Sequence, residues 1–326
     1  AEYAYHLVQQ TPEEETARTL ASRYRVSRQQ ARQDFRDFKE RIETLIETPD
    51  LDPVMYLDFD RDAPYAQQIS APYRLDCALT YRLSPGSDPG FAPTERVKRE
   101  LSPEEWIAIL DKAWGVGIPH VVFTGGEPCL FEDLPALIIH AEKNGQVSGL
   151  ITDGLRLAEP GYLDTLLQTG LDHLTLLFQP ELELSWKILE TLIATDLFVA
   201  AHLTLTPENA AQINGYLEWL SHKQAQAVSL SSADPSLSQV LQAARQRAAE
   251  LNLSLVWDLP VPYSAYNPVA LETAEEALPD GVGRAWLYVE PDGDVLPAQG
   301  VNRVLGNFLT DPWEKIWSME NPSTHG

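Results

Sequence analysis

Residues 119–132 read PHVVFTGGEPCLFE. The run HVVFT is apolar and rich in β-branched and aromatic residues, as suits a strand buried on both faces. It stops at Gly125-Gly126, followed by one carboxylate, Glu127, and then by Pro128. A tight turn needs backbone freedom, which glycine supplies. A ligand that comes close to the backbone needs the same freedom, with a carboxylate to hold it. Glu127 therefore has two readings: it caps a helix or pairs with an arginine, or it binds an ammonium group.

The same pattern repeats on both sides of this turn. Strands are expected over 75–81, 119–124, 147–152, 173–178, 198–205, 227–231 and 253–257, with amphipathic helices over 103–114, 133–144, 161–169, 183–195, 207–222 and 236–250. Ser102 and Glu105 form a capping box, and Trp106, Ile109, Leu110, Ala113 and Trp114 share one face of the helix that follows. About six βα units predict an α/β fold, a partial (β/α)6 TIM-like barrel over 73–265. In such folds ligands sit at the C-terminal ends of the strands, where residues 125–128 fall.

Two smaller parts flank the barrel. Residues 1–50 read as a short strand over 2–9 and two helices, started by Thr11-Pro12 and by Ser27, with Ala31, Phe35, Phe38, Ile42, Leu45 and Ile46 on one face. This resembles a winged-helix module, followed by a linker over 51–72. Between Thr16 and Arg41 lie eight basic and three acidic side chains, about +5, in a chain of net charge -24. Residues 266–326 read as a small α/β extension: Pro291-Asp292-Gly293-Asp294 marks a hairpin between 285–290 and 295–298, with a final helix near 312–318. The aromatic and proline-rich segment 257–269 reads equally as a binding wall or a structured linker.

The 326 residues hold only Cys77 and Cys129, too few for a disulfide framework or a multi-cysteine metal site. Both read as buried neutral thiols. The seven histidines show no metal-ligand spacing, and His120, His173 and His202, on or beside strands, read as satisfied core residues. Walker, Gly-x-Gly-x-x-Gly and Gly-x-Ser-x-Gly motifs are absent. No apolar run long enough to span a bilayer and no signal pattern occur, so no membrane partner is expected and the cytoplasm is the default location. The chain opens at Ala1 rather than Met, which leaves room for residues upstream.

Together these features resemble the radical SAM superfamily, of the SPASM or twitch type, with an N-terminal PqqD-like peptide-recognition domain. Residues 125–128 are similar to its GGEP motif, which in the family holds the amino group of S-adenosylmethionine (SAM). Thr152-Asp153-Gly154 stands where many members have Thr-Asn-Gly, and the stretch from Gly283 to Trp317 is similar to the C-terminal extension. The resemblance implies cofactor contacts from Gly125, Gly126, Glu127, Pro128, Thr152 and Asp153. It also implies peptide contacts from Arg18, Arg25, Arg28 and Arg32.

The family's Cys-x3-Cys-x2-Cys motif, which holds a [4Fe–4S] cluster, has no full counterpart. Placing Phe91 at the trailing aromatic puts Leu83, Ser87 and Gly90 at the cysteine positions; a second alignment gives Cys77, Tyr81 and Ser84. The first is preferred for its lead-in residues. Leucine and glycine side chains cannot ligate iron, and serine replaces a soft thiolate poorly. The auxiliary-cluster positions hold Gly281–Gly283 and Pro297-Ala298, and Leu177 stands where many members place a ribose-side serine. The expectation is therefore a degenerate, non-catalytic, peptide- or partner-binding component of a peptide-modification pathway. No catalytic or metal-binding residue, no resident cofactor and no [4Fe–4S] cluster are expected; SAM is the candidate ligand if one is retained. Two alternatives stand beside it: an active SAM-dependent enzyme binding SAM at the GGEP turn, and a DNA-binding regulator with the barrel as sensor, disfavoured by the negative charge.

Overall fold

A computed structural model describes residues 2–24, 26–48, 51, 69–232, 234–256, 282–301 and 303–317. Arg25, most of the linker, the segment 257–269 and Gly281 lie outside the described residues. Seven strands run in chain order: β1 (Arg74–Thr80), β2 (His120–Gly125), β3 (Val147–Thr152), β4 (His173–Leu177), β5 (Phe198–Leu205), β6 (Ala227–Ser232) and β7 (Ser254–Leu255). Each pairs in parallel with its predecessor. Between them lie α4 (Pro103–Val116), α5 (Leu134–Asn144), α6 (Tyr162–Leu167), α7 (Glu183–Ile193), α8 (Ile213–His222) and α9 (Ser238–Glu250). The expected ladder is present: a mostly parallel α/β sheet with crossover helices.

Strand alternation divides the sheet into two faces. Leu75, Cys77 and Leu79 of β1, with Val121, Phe123, Leu150, Leu174 and Leu176, pack against Trp106, Ile109 and Leu110 of α4 in the main core. The opposite face carries a second apolar cluster, Phe91, Val122, Ile151 and Leu177. Phe91 reaches it from the loop after β1. This face also carries buried polar side chains. His202 is 2% exposed, and its ring nitrogens meet Ser229 Oγ (3.0 Å), Ser231 Oγ (3.1 Å) and Thr204 Oγ1 (3.3 Å). Buried away from charge, it is held neutral, with its pKa lowered to about 4. His120 and His173 do meet, Nε2 to Nε2 at 2.8 Å, across Gly149 of β3, where a Cβ would collide with the His173 ring. All three are satisfied by neighbours, as expected.

The C-terminal segment extends the same sheet. β8 (Trp286–Val289) pairs in parallel with β1, and its hairpin partner β9 (Asp294–Leu296) is antiparallel to it. β10 (Gly306–Asn307) completes the ten-stranded order β10-β9-β8-β1-β2-β3-β4-β5-β6-β7, and α10 (Trp313–Ile316) follows. Asn307 accounts for the turn: its Nδ2 donates to Asp292 O and Asp294 Oδ1, both at 3.1 Å. Lys112 of α4 ties the extension down, donating to Phe308 O at 2.7 Å and to Asp311 O.

The N-terminal part is three helices, α1 (Glu2–Val8), α2 (Glu13–Tyr24) and α3 (Arg28–Glu47). The strand expected over 2–9 is helix α1. Its residues four apart, Glu2 and His6, face the same side and are buried, while Tyr3 packs its ring 6.0 Å from Phe35 and 5.9 Å from Phe38. Glu2 accepts from Arg23 (2.6 Å) and Tyr24 (2.5 Å), and the Arg23 guanidinium lies 3.2 Å from the centre of the Trp114 ring at the end of α4. Tyr24 abuts Gly117 and Tyr5 abuts Gly145, the glycines that end α4 and α5. These helix ends precede β2 and β3, so the helical module sits at the N-terminal end of the strands, opposite residues 125–128.

The Arg23 and Glu2 side chains are 9% and 5% exposed. Removing one partner of such a pair strands a buried charge, at a cost of about 3–5 kcal/mol. Arg23→Ala is expected to lose stability of that order in urea unfolding. It should also speed amide exchange across 2–24 more than in β1–β6. A loss below about 1 kcal/mol, with unchanged exchange, would contradict this anchoring.

Candidate functional site at the strand ends

β2 ends at Gly125, whose φ of +126° lies in a region that L side chains rarely adopt. A Cβ on Gly126 would stand 2.5 Å from Tyr81 O and nearer still to Arg82 O. The two glycines therefore allow the chain's own backbone to approach. Gly126 N–H donates to Thr80 O (2.6 Å), and Glu127 N–H donates to Arg82 O (2.7 Å). The 125–128 turn is stitched to the loop that leaves β1.

Glu127 is fully buried. Its Oε1 accepts from Cys129 N–H (2.8 Å) and Thr152 Oγ1 (2.8 Å), and its Oε2 accepts from Asp153 N–H (2.7 Å). It caps the short 3-10 turn Pro128–Leu130, with Pro128 in the first turn. Of the two readings offered by the sequence, the geometry matches the cap. Burial, then the neighbouring charge of Asp153, pushes its pKa up to about 8, against the pull of the N–H donors.

Thr152 and Asp153, also predicted site residues, lie against it at the end of β3. Asp153 is 3% exposed. Its Oδ1 accepts from Ser84 Oγ (3.1 Å) and Leu155 N–H (2.9 Å); its Oδ2 has no hydrogen-bond partner among the described residues. Ser84 and Leu155 line a hollow of about 420 Å³, together with Leu130 and Arg156.

Leu83, Ser87 and Gly90 are spread along a loop held by other means. Gln179, after β4, accepts from Asp88 N–H (3.0 Å) and donates to Ser87 Oγ (3.0 Å). Asp88 Oδ1 in turn accepts from Gly90 N–H at 2.8 Å. In the second alignment Tyr81 bonds Glu290, Ser84 bonds Asp153, and Cys77 faces the helix-side core. A second hollow, about 590 Å³, opens between this loop and the ends of β4 and β5, lined by Asp88, Gln179, Glu181, Thr204, Glu208 and Asn209 among others. Among the described residues its lining contains no lysine, arginine or histidine. Gln179, Arg156 and the walls of the two hollows carry no motif. The nearest sequence signal was Ser-Asp-Pro-Gly at 87–90, a turn former.

Of the predicted peptide-contacting arginines, Arg18 pairs with Glu15 (3.8 Å), Arg32 with Glu14 (2.6 Å) and Glu13 (3.9 Å), and Arg28 stands exposed at the start of α3. They lie on the helical module, away from the strand-end mouth.

Residues 77–179 match the sequence model described as Radical SAM superfamily. The chain is 27% identical over 241 residues to a PqqA peptide cyclase of Xanthomonas oryzae pv. oryzae, covering 64% of this chain and 63% of that protein. It is 40% identical over 85 residues to a PqqA peptide cyclase of Granulibacter bethesdensis, covering 26% of this chain and 22% of the relative. The chain thus spans less than two thirds of the length of these relatives. Among solved structures, Streptococcus suis SuiB bound to S-adenosylmethionine superimposes with a TM-score of 0.60 at 16% identity, covering 89% of this chain and 71% of that one. The enzyme anSMEcpe with bound AdoMet gives 0.56 at 15% identity, covering 75% and 80%. Among the described residues no helix is long and apolar enough to cross a membrane.

These matches correct two expectations. The non-catalytic reading is overturned by relatives that carry an enzyme's name, matched across most of this chain. The expectation of no cofactor and no [4Fe–4S] cluster is overturned by the superfamily match, which implies SAM and an iron–sulfur cluster. Both expectations rested on the missing thiolates and on Leu177 at the ribose position, which leave the strand-end hollows out of account. The donors themselves remain a separate matter. Cys77 and Cys129 are buried, burial raises both thiols, and no group of three His, Cys, Asp or Glu suited to a metal occurs among the described residues. This donor set does not fit a three-thiolate cluster.

Glu127 gives a pH signature. Its folded-state pKa is above the ordinary 4.5, so its stabilising contribution is whole below that value and is lost as pH rises through about 8. Glu127→Gln should remove this slope between pH 4.5 and 8 in thermal melts. It should also cost about 1–3 kcal/mol throughout, because an amide nitrogen would face Asp153 N–H. A variant with the same slope as the parent would refute the assignment. The match and the ladder agree: the residues that match the radical SAM superfamily model, 77–179, lie within the β/α ladder.

Proposed function

We propose that the chain is an active SAM-dependent enzyme of the radical SAM type that modifies a peptide. The observation that carries this reading is the 241-residue match to PqqA peptide cyclases, which runs through the β/α ladder. The strand-end geometry supports it. The 125–128 turn and Thr152-Asp153 form one wall of the mouth, and the hollow of about 590 Å³ falls within the usual range for small-molecule sites. Asp88, Glu181 and Glu208 on its lining give it a negative field that favours a sulfonium cation or a basic substrate side chain. When bound, SAM supplies an activated carbon–sulfur bond. The protein's part is to orient it at the strand ends and to keep the loop over 84–91 closed, through Gln179 and the Phe91 ring.

The peptide partner rests on two supports. The relatives are named for a peptide substrate, and SuiB has been solved with its precursor peptide SuiA. Within this reading the helical module over 1–50 acts as a PqqD-like recognition domain, with Arg18, Arg25, Arg28 and Arg32 facing acidic side chains. The segment after 266 acts as a SPASM-like extension, and the cytoplasm is the site of action.

Two measurements test the proposal. Calorimetric titration of the purified chain with SAM should give saturable, one-to-one binding. Incubation of chain, SAM, iron, sulfide and reductant with a PqqA-type peptide should yield a mass change in the peptide, detected by mass spectrometry. Binding without any peptide change under either aerobic or anaerobic conditions would refute the peptide activity. Absence of SAM binding would refute the whole reading.

A further inference from the structure

We infer that Ser231 is a nucleophile, activated by His202, for acyl transfer from a small ester or thioester. This activity goes beyond the proposed function, and SAM plays no part in it. Two adjacent parallel strands build the group. In the pairing of β5 with β6, His202 stands opposite Ser229 and Thr204 opposite Ser231. Residues two apart on a strand face the same side, so all four side chains meet on the inner face. His202 Nε2 lies 3.1 Å from Ser231 Oγ, and its Nδ1 lies 3.0 Å from Ser229 Oγ. A hydroxyl and a base within about 2.6–3.2 Å, with the base oriented by a third group, is the geometry of an activated nucleophile.

Exposure sorts the roles. His202 and Ser229 are buried, whereas Ser231 is half-buried and open to a reagent. Burial keeps the imidazole neutral at pH 7. With Nδ1–H donated to Ser229, the Nε2 lone pair is left for the Ser231 O–H. Thr204 supplies the remaining part. Its Oγ1 is 3.2 Å from Ser231 Oγ, and Thr204 lines the hollow of about 590 Å³. Asn209 fixes it there, donating from Nδ2 to Thr204 O at 2.9 Å. The Thr204 hydroxyl is thus placed to donate to the oxygen that gains charge when Ser231 adds to a carbonyl. In the step, Ser231 Oγ bonds to the acyl carbon and its proton passes to His202 Nε2. That proton then goes to the leaving alkoxide or thiolate as the old C–O or C–S bond breaks. Water, deprotonated by the same nitrogen, releases the acid and restores Ser231. Asp88, Glu181 and Glu208 on the lining repel an anionic substrate, so the acyl donor is neutral or cationic.

The test uses the full chain, without SAM, and two neutral probes: an alkyl fluorophosphonate and p-nitrophenyl acetate. Both should modify Ser231, read as a mass gain on its peptide, and Ser231→Ala should abolish that gain. His202→Gln should slow the modification at least about tenfold, the loss of a general base. Where that variant melts well below the parent, the pH profile of the parent decides. A histidine held near 4 is neutral from about pH 5.5 to 7.5, so the rate should change less than about twofold across that window. A hydroxyl without a base gains about tenfold per pH unit, because hydroxide does the work. A rate that follows hydroxide, a probe that leaves Ser231 unmodified, or a well-folded His202→Gln that reacts like the parent would overturn the inference. Titration with SAM and the peptide assay succeed or fail independently of these results, so the two readings are judged apart.

Discussion

The Glu127 carboxylate holds the mouth of the sheet together. It spans from its own 3-10 turn to the backbone of Asp153, and so joins the end of β2 to the end of β3. The glycines before it bring β1 into the same knot, through Gly126 N–H to Thr80 O and Glu127 N–H to Arg82 O. Three strand ends are thereby fixed by one buried acid and three backbone segments. A carboxylate in this position has little freedom to act on a ligand. It fixes the frame in which Asp153, Ser84 and Arg156 present themselves. Burial and the neighbouring charge of Asp153 make this acid costly to ionise despite the N–H bonds it accepts, and its raised pKa is the electrostatic mark of that position.

The two ends of the sheet divide the work. The helical module packs where α4 and α5 end, near Gly117 and Gly145, on a buried Arg23–Glu2 pair and the Trp114 ring. The hollows open at the other end. Strands of six residues separate them by about 20 Å. Under the proposed function, a peptide gripped by the module would need at least six extended residues to bring its reacting side chain to the mouth. Between the ends, the inner face is filled by Phe91, Val122, Ile151 and Leu177 and by the hydrogen-bonded set around His202. It forms a packed interior rather than a channel.

The β/α ladder was readable because buried parallel strands and amphipathic helices have distinct periods, and because Ser102, Gly145 and Gly170 punctuate them. The parallel β8–β1 pairing was not readable, since nothing in Trp286–Val289 states which edge it joins. Helix α1 was misread: seven residues give two helical turns, and its seat on Phe35 and Phe38 is tertiary. At the site, the turn at 125–128 was located correctly from its glycines. The direction of the Glu127 side chain was not, because both outcomes demand the same residue type. Arg156 was missed, as a lone arginine in a loop carries no pattern. The inference from missing thiolates to missing activity failed because it used one part of the site to judge the whole.

A crystal structure of the chain soaked with SAM tests the central claim most directly. The account predicts Glu127 Oε2 still on the Asp153 amide, as in the unliganded chain. A Glu127 carboxylate turned outward to the ligand's ammonium, with the Asp153 amide released, would contradict it.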